Sequence, residues 1–364
     1  MIYENAPVTE NILSITLLIP MRNESLFAKK KILEVLDEIY DLNHVKLIIV
    51  DSNSADGTSK IVESTLIESN LPKERWSILK SIFPGKTRAL NLAITEISSD
   101  LVMIMDVDAE ASLGWENICQ EIFTQDDIGL ISGIQTIDGV LNMSNLERKY
   151  KQYLNQRRLF SSQKSSIVIP EGSLCCFRRL AIRNNQLDER FNADDTQISL
   201  ICLRNQYRCI IDPRLKFKEN QKFPWHINFR RRVRRGRGLT NVLIRNIDMV
   251  KPSINLINHK EILRVIMLYL ILPWVIFIGI MSTGYGILTI NFEQVLFYYL
   301  SPLGMTLVQT YVALLGLFIY LNMRFPLLLS ILEGSMIMII AQISIITHRK
   351  KDFWDPIRKL EYLK

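Results

Sequence analysis

The chain has 364 residues, room for one large domain or two ordinary ones, and its 48% hydrophobic content sits beside 44 Lys+Arg and 37 Asp+Glu. A formal charge of +7 with so much apolar content points to a soluble basic part joined to an apolar part rather than to a chain of one character. Five cysteines without a CxxC pair or zinc-ligand spacing, and four scattered histidines, argue against a thiolate or histidine metal cluster and leave reduced, packed thiols.

Met1–Glu10 is polar and Ile12–Pro20 is short and ends in proline, so no secretory signal is expected ahead of the globular part. Leu13–Ile19 reads as a first strand, followed by the turn Pro20-Met21-Arg22-Asn23-Glu24 and a helix from about Ser25 to Tyr40. Lys46–Val50 is a second strand, Asp51-Ser52-Asn53-Ser54-Ala55-Asp56-Gly57-Thr58 its loop, and Ser59 to Ser69 the next helix. Trp76–Ser81 follows as a strand, Gly85–Ile97 as a helix and Leu101–Met105 as a strand. Strands alternating with amphipathic helices make an α/β domain around a mostly parallel sheet. Ligands of such folds bind beyond the carboxyl ends of the strands, where Asp51 and Asp106 stand.

Asp106-Val107-Asp108 closes the apolar run Leu101–Met105. With a strand period of two, both carboxylates leave one face while Val107 turns to the core. Mg²⁺ and Mn²⁺ favour such oxygen ligands and often share them with phosphate oxygens; the bland alternative is a turn with two solvated acids. No GxGxxG follows the first strand, which removes support for a dinucleotide site, and Pro84-Gly85-Lys86-Thr87 lacks the upstream glycines of an ATPase loop. Lys86 and Arg88 at a helix start can still serve a phosphate, or simply be solvated charges.

Arg230–Arg237 holds six arginines in eight positions with no acid among them. Nothing beside it resembles a nucleic-acid recognition module, so the expected partners are anionic lipid heads, a pyrophosphate or a lipid phosphate, with a pure topology anchor as the alternative. Val265–Ile290 and Gln294–Met323 carry no acid or base apart from tyrosines, and Leu327–Thr347 only Glu333. Each run reaches the roughly 20 residues that a helix needs to cross a bilayer. Arg324 and His348-Arg349-Lys350-Lys351 flank the last run and both favour the cytoplasmic side, which three full crossings do not satisfy. Either the last run, interrupted by Glu333-Gly334-Ser335, is re-entrant, or another turn lies within the long runs, or the charge bias is weak; the expected count is three to four segments.

Taken in order, these motifs resemble the family 2 inverting glycosyltransferases of GT-A fold, above all membrane-bound bacterial and archaeal members. Leu18-Ile19-Pro20-Met21-Arg22-Asn23-Glu24 resembles the family's first strand and nucleotide-binding turn, and Ile48–Thr58 its next signature. The resemblance implies that Asp51 reads the nucleobase, that Asp56 supports the loop or the nucleoside, and that Gly85-Lys86-Thr87-Arg88-Ala89-Leu90-Asn91 lies beside the nucleotide. It places Asp106 and Asp108 at the DxD whose Mg²⁺ or Mn²⁺ would bridge the diphosphate of a UDP- or GDP-sugar. Pro170-Glu171-Gly172-Ser173 and Arg178-Arg179-Leu180-Ala181 look like the acceptor-side loop and the helix after it. In Asn192-Ala193-Asp194-Asp195-Thr196, Asp195 is the implied catalytic base and Asp194 replaces the usual glutamate. Processive relatives carry Gln-x-x-Arg-Trp before the membrane segment; here Arg231 matches the Gln, Arg234 the Arg and Arg235 the Trp, which favours single addition over a polysaccharide synthase. Trp225 and His226 are secondary acceptor-side candidates.

The resemblance implies a multi-pass cell-membrane enzyme: a cytoplasmic catalytic domain over 1–225, a basic interfacial segment over 226–262, a membrane region over 263–348 and a basic tail over 349–364. The expected partners are a nucleotide-sugar, a membrane-embedded lipid or glycan acceptor and an anionic membrane surface, with no nucleic acid. Two rivals stand beside it. A haloacid-dehalogenase-like phosphatase also uses DxD, but Ala109-Glu110 follows the second Asp here and the required lysine motif is not evident. A non-catalytic nucleotide-sugar-binding scaffold would bind donor without turnover.

Overall fold

The computed structural model describes residues 12–136, 145–183, 185–219, 225–255, 258–289 and 327–347. The first half alternates as expected: β1 (Ile15–Met21), α1 (Ser25–Ile39), β2 (Val45–Asp51), α2 (Thr58–Glu68), β3 (Trp76–Lys80), α3 (Lys86–Glu96) and β4 (Leu101–Met105). β1 pairs in parallel with β2 and β4, and β2 with β3. Every residue of β1 and β4 is buried, which is why both read as unbroken apolar runs: helices cover both faces of the sheet.

The second half adds β5 (Ala109–Ala111), α4 (Trp115–Ile122), β6 (Ile128–Gln135), α5 (Asn145–Lys164), β7 (Leu174–Arg178), α6 (Arg179–Ile182), α7 (Asp194–Arg204) and β8 (Arg208–Glu219). The sheet has eight strands in the order β3-β2-β1-β4-β7-β6-β8-β5. β7 runs antiparallel to β4, with Met105 opposite Leu174. That reversal decides the site, because it brings the residues entering β7 to the carboxyl end of β4. Sequence alternation gave no warning of it, since β7 follows α5 as a parallel strand would.

Two apolar clusters sandwich the sheet. One packs Ile32, Val35 and Trp115 against β1 and β4; the other packs α3 and α7 and also takes Val242 and Leu243 from α8 (Trp225–Arg245). α9 (His259–Ile266) contributes Ile262, Val265 and Ile266 to this second cluster. The apolar run expected to start at Val265 therefore begins as domain core. Beyond a π-helical turn at Met267–Ile271 it continues as α10 (Leu272–Thr289), where Val275, Ile278, Ile280 and Met281 are exposed.

α10 packs against α11 (Leu327–Thr347). Trp274 Nε1 donates to Gln342 Oε1 at 2.6 Å, and Gln342 Nε2 donates to the Tyr269 carbonyl in the π turn at 3.0 Å. Such a turn disturbs the helical ladder, and the Gln342 amide supplies a donor across the helix pair. By length and composition, His259–Ser282 with 24 residues and Ser330–Thr347 with 18 are long and apolar enough to cross a membrane. The expected middle run Gln294–Met323, Arg324 and the tail after Thr347 lie outside the described residues.

Candidate active site

Two loops at the carboxyl ends of β1 and β2 are locked together by hydrogen bonds to backbone. Asp51, the buried last residue of β2, accepts from Ser54 N at 3.0 Å and Ser54 Oγ at 2.5 Å. Asn23 N donates to Ser54 Oγ at 3.0 Å, and Asn23 Oδ1 accepts from Ala55 N at 2.9 Å. Asn23 and Asn53 both adopt positive φ, a region that asparagine tolerates better than most residues. Asp56 accepts from Ser25 N at 3.0 Å, Thr58 N at 3.1 Å and Thr58 Oγ1 at 2.5 Å. Burial pushes the Asp56 carboxyl up, but the bonds from Thr58 and Ser25 outweigh it and hold the group below its ordinary range. The same Thr58 hydroxyl accepts from Glu24 N at 2.8 Å, so Asp56 ties the second loop to the start of α1.

Asp106 and Asp108 are not on a strand. Asp106 follows β4, and Ala109 N closes a turn on the Asp106 carbonyl at 3.1 Å before β5 begins. The expected strand alternation is thus corrected to a turn, yet the outcome is the one wanted of it: both carboxylates line the same cavity, and Val107 is largely buried. Pro20 and Glu24 line it too, while Arg22, Asn23, Asp51 and Asp56 do not.

Lys86, the first residue of α3, joins three segments. Its Nζ lies 2.8 Å from Asp106 Oδ1 and 3.3 Å from Asp194 Oδ2, and donates to the Gly172 carbonyl at 3.4 Å. Burial opposes its charge, but Asp106 and Asp194 outweigh burial and hold the ammonium above its usual range. Arg88 stands apart from Lys86. Its Nε is bonded to Glu189 at 2.7 Å, the guanidinium lies over the Phe83 ring, and it does not line the cavity. Two positions along the helix change the surroundings entirely.

Asp195 stands at the N-terminus of α7, after Ala193 at φ 83°. Burial first, then the neighbouring Asp194, pushes its carboxyl up to about 6, against the pull of the Thr196 N–H, Lys86 and Arg235. Thr196 N donates to Asp195 Oδ1 at 2.6 Å. A Cβ on Gly172 would meet Asp195 Oδ2 at 2.9 Å, so a larger residue there would displace that carboxylate. Glu171 pairs with Arg158 of α5, and its backbone N–H donates to Ser132 Oγ at 2.8 Å; Asp106 N donates to the Ser173 carbonyl at 3.0 Å, and Ser173 Oγ donates to Glu219 at 2.6 Å. The expected acceptor-side loop therefore reaches the DxD through β7.

Arg231, Arg234 and Arg235 of α8 line the cavity, whereas His226 is exposed outside it and the Trp225 side chain lies outside the described residues. Burial lowers Arg231 to about 10, with Arg235 beside it, so a negative charge placed there would be stabilised. Glu219, which lies beyond the motifs singled out in the sequence, is raised by burial and by Asp108. Arg157, Arg158, Arg232 and Arg264 also face the cavity. The adjacent arginines at 157–158 were the legible hint; the meeting of Arg158 with Glu171 depends on how α5 docks.

Among the described residues no set of three or more His, Cys, Asp or Glu side chains converges as a metal cage. Two carboxylates facing an open cavity fit the alternative, a Mg²⁺- or Mn²⁺-type site completed by phosphate oxygens and water. The cavity holds about 610 Å³ and passes from these acids to Leu268, Leu272 and Pro273 on one apolar helix and Ile331 and Met338 on the other.

A family model described as Glycosyl transferase family 2 matches residues 16–185, and one described as Glycosyl transferase family group 2 matches residues 102–341, more than half of the chain. The chain belongs to the family 2 glycosyltransferases. This glycosyltransferase is 21% identical over 244 residues to the probable glycosyltransferase YdaM of Bacillus subtilis (strain 168), a match covering 64% of this chain and 56% of that relative's length. Its structure is similar to that of the mannosyltransferase PcManGT from Pyrobaculum calidifontis in complex with GDP-Man and Mn²⁺, with a TM-score of 0.73, 19% identity, and coverage of 93% of this chain and 88% of that one. S. aureus TarS 1–349 in complex with UDP-GlcNAc gives a TM-score of 0.44 at 14% identity over 64% of this chain and 67% of that one, too slight a likeness to argue from. The α/β sheet with its apolar C-terminal helices is thus the GT-A arrangement that the sequence resemblance implied.

Proposed function

We propose that this glycosyltransferase moves a sugar from a UDP- or GDP-sugar to a lipid-linked acceptor in a membrane, such as a polyprenyl phosphate or a lipid-linked glycan, by single addition with inversion. The observation that carries this reading is the continuity of one cavity from Asp106, Asp108 and Asp195 to the faces of two helices apolar enough to cross a membrane. The GDP-Man and Mn²⁺ held by the similar PcManGT support a nucleotide-sugar donor and a divalent ion.

In this reading the loops of Arg22, Asn23, Asp51 and Asp56 hold the nucleoside, with Pro20 and Glu24 at the cavity edge. Asp106 and Asp108 would hold Mg²⁺ or Mn²⁺, which when bound supplies positive charge to the departing diphosphate. Lys86 keeps Asp106 and Asp194 in place, and Arg231, Arg234 and Arg235 add charge to the same end. Asp195 takes the proton of an acceptor hydroxyl or orients an acceptor phosphate, with Glu171, Gly172 and Ser173 forming the wall behind it. A carboxylate titrating near 6 is both ionised and basic enough for that transfer near neutrality. Attack from the face opposite the diphosphate gives inversion.

Residues 1–225 act as the catalytic domain, 226–262 as the basic interfacial segment and 263–348 as the membrane region. The arginines of Arg230–Arg237, next to the first apolar helix, favour a cytoplasmic catalytic face on an anionic membrane surface. Incubating membranes containing the full chain with labelled UDP- and GDP-sugars, Mn²⁺ or Mg²⁺ and extracted polyprenyl acceptors should give an inverted, lipid-soluble product. Donor binding without transfer to any acceptor would contradict the reading and favour a scaffold.

A further inference from the structure

Helix α8 is held from two sides. A Cβ on Gly238 would fall 2.4 Å from the Asn192 carbonyl oxygen, so this helix lies directly on the turn that carries Asp194 and Asp195. A Cβ on Gly236 would meet Ala341 Cβ at 3.0 Å and Met338 Sδ at 3.3 Å, so the same helix lies directly on α11. Residues 231, 234, 235 and 238 form one helical stripe, facing the cavity and the Asn192 turn; residues 232 and 236, four apart, form the neighbouring stripe, which lines the cavity edge and also meets α11.

On that second stripe Arg232 Nη1 meets Glu333 Oε1 at 2.6 Å. Glu333 is the sole ionisable residue of Leu327–Thr347. A carboxylate on an apolar helix is costly, and its pairing with an arginine is the usual way in which such a charge is retained. The pair and the close approach at Gly236 both anchor α8 on α11.

We propose that Glu333 is a positioning residue: by holding Arg232 on α11 it fixes the rotation of α8 about its axis, and with it the aim of Arg231, Arg234 and Arg235 into the anion-binding end of the cavity. A turn of α8 by part of a residue would swing all three guanidinium groups together and press on the Asn192–Asp195 turn through Gly238. The membrane-type helix thereby sets the geometry of the catalytic end. The inference rests on the anion role proposed for these arginines and not on the identity of the acceptor.

Inorganic pyrophosphate tests it, because the probe needs neither the right base nor the right acceptor. Its affinity is measured by calorimetry on the full chain in lipid nanodiscs, beside thermal unfolding. Glu333→Gln removes a charge from an apolar helix, so a role confined to helix packing predicts an equal or higher thermal midpoint and unaltered binding. The positioning role predicts that E333Q keeps its midpoint while pyrophosphate affinity falls about fivefold or more, and that Glu333→Asp, which keeps the carboxylate beside Arg232, holds affinity to within about twofold of wild type. Binding by E333Q within about twofold of wild type, an equal loss in E333D, or no pyrophosphate binding by the wild type would each overturn the proposal. Should E333Q lose its fold, Gly236→Ala decides instead: it is expected to weaken pyrophosphate binding, and Gly236→Ala with Ala341→Gly to restore it, unchanged affinity in the first variant again overturning the role. A wild type that binds pyrophosphate in this pattern but transfers no sugar would sink the proposed function and leave the positioning role standing.

Discussion

Around Asp51 and Asp56 the chain closes on itself with short hydrogen bonds to its own backbone, whereas around Asp195 it gathers charged side chains from α3, the β4–β5 turn, the β7 approach and α8. The first region joins two adjacent loops of a parallel sheet and depends on local turn chemistry. The second depends on compensation: Lys86 against Asp106 and Asp194, Arg158 against Glu171, Arg232 against Glu333. Changes in the first region should therefore weaken donor binding, and changes in the second should slow transfer.

The largest effect is expected from Lys86→Ala, which leaves Asp106 and Asp194 without their shared cation. Transfer should fall by about 10³-fold, and thermal unfolding should show a loss of about 3–5 kcal/mol, the usual cost of breaking a buried pair. A variant that turns over normally would remove Lys86 from the site. Asp195→Asn comes next, with transfer down by about 10²–10⁴-fold and nucleotide affinity retained.

Asp195 also gives a pH signature. Its proton is held more tightly in the folded chain than in the unfolded one, so the stability that it contributes is present at acid pH and lost as pH rises through about 6. The Asn variant should accordingly unfold at a higher temperature than the wild type near pH 7.5, by a few degrees. With an alcohol acceptor the wild-type kcat/KM should rise with pH through an apparent pKa of about 6. A flat profile across that range would show that Asp195 does not take the proton.

Gly172→Ala should cost about 10²-fold in kcat with donor KM unchanged, because its Cβ displaces the Asp195 carboxylate rather than touching the donor loops. The smallest change sharpens the contrast from the other side. Asp56→Asn loosens the Thr58 and Ser25 bonds and should raise donor KM by roughly tenfold while leaving kcat within about twofold, as expected for uniform binding. Equal loss in both constants would mean that the two regions are not separable.

The same contrast explains what was legible in the sequence. β1 to β4 and the places of Asp51 and Asp106 at strand ends follow from period and turn residues, each read within some ten residues, while Asp56 was singled out by the family resemblance alone. The pairing of Arg88 was not legible, because its partner Glu189 lies 101 residues away. β7 was missed because strand direction is a tertiary property, and with it went the reason why Gly172 meets Asp195. The turn at Asp106–Ala109 broke the alternation from which its two carboxylates had been placed together, although the cavity gathers them all the same. The first apolar run was assigned wholly to the membrane because composition does not distinguish Val265 and Ile266, which are core, from Val275 and Ile278, which are exposed.

The continuity of the cavity with the apolar helices is the central claim, and acceptor chain length tests it most directly. Purified full chain in lipid nanodiscs, supplied with the donor that it binds, is assayed with polyprenyl phosphate and with a short-chain, water-soluble phosphate bearing the same accepting group. The account predicts that kcat/KM falls by at least about tenfold when the apolar chain is cut short, through lost burial along Leu268, Leu272 and Met338. Equal transfer to both acceptors would contradict it.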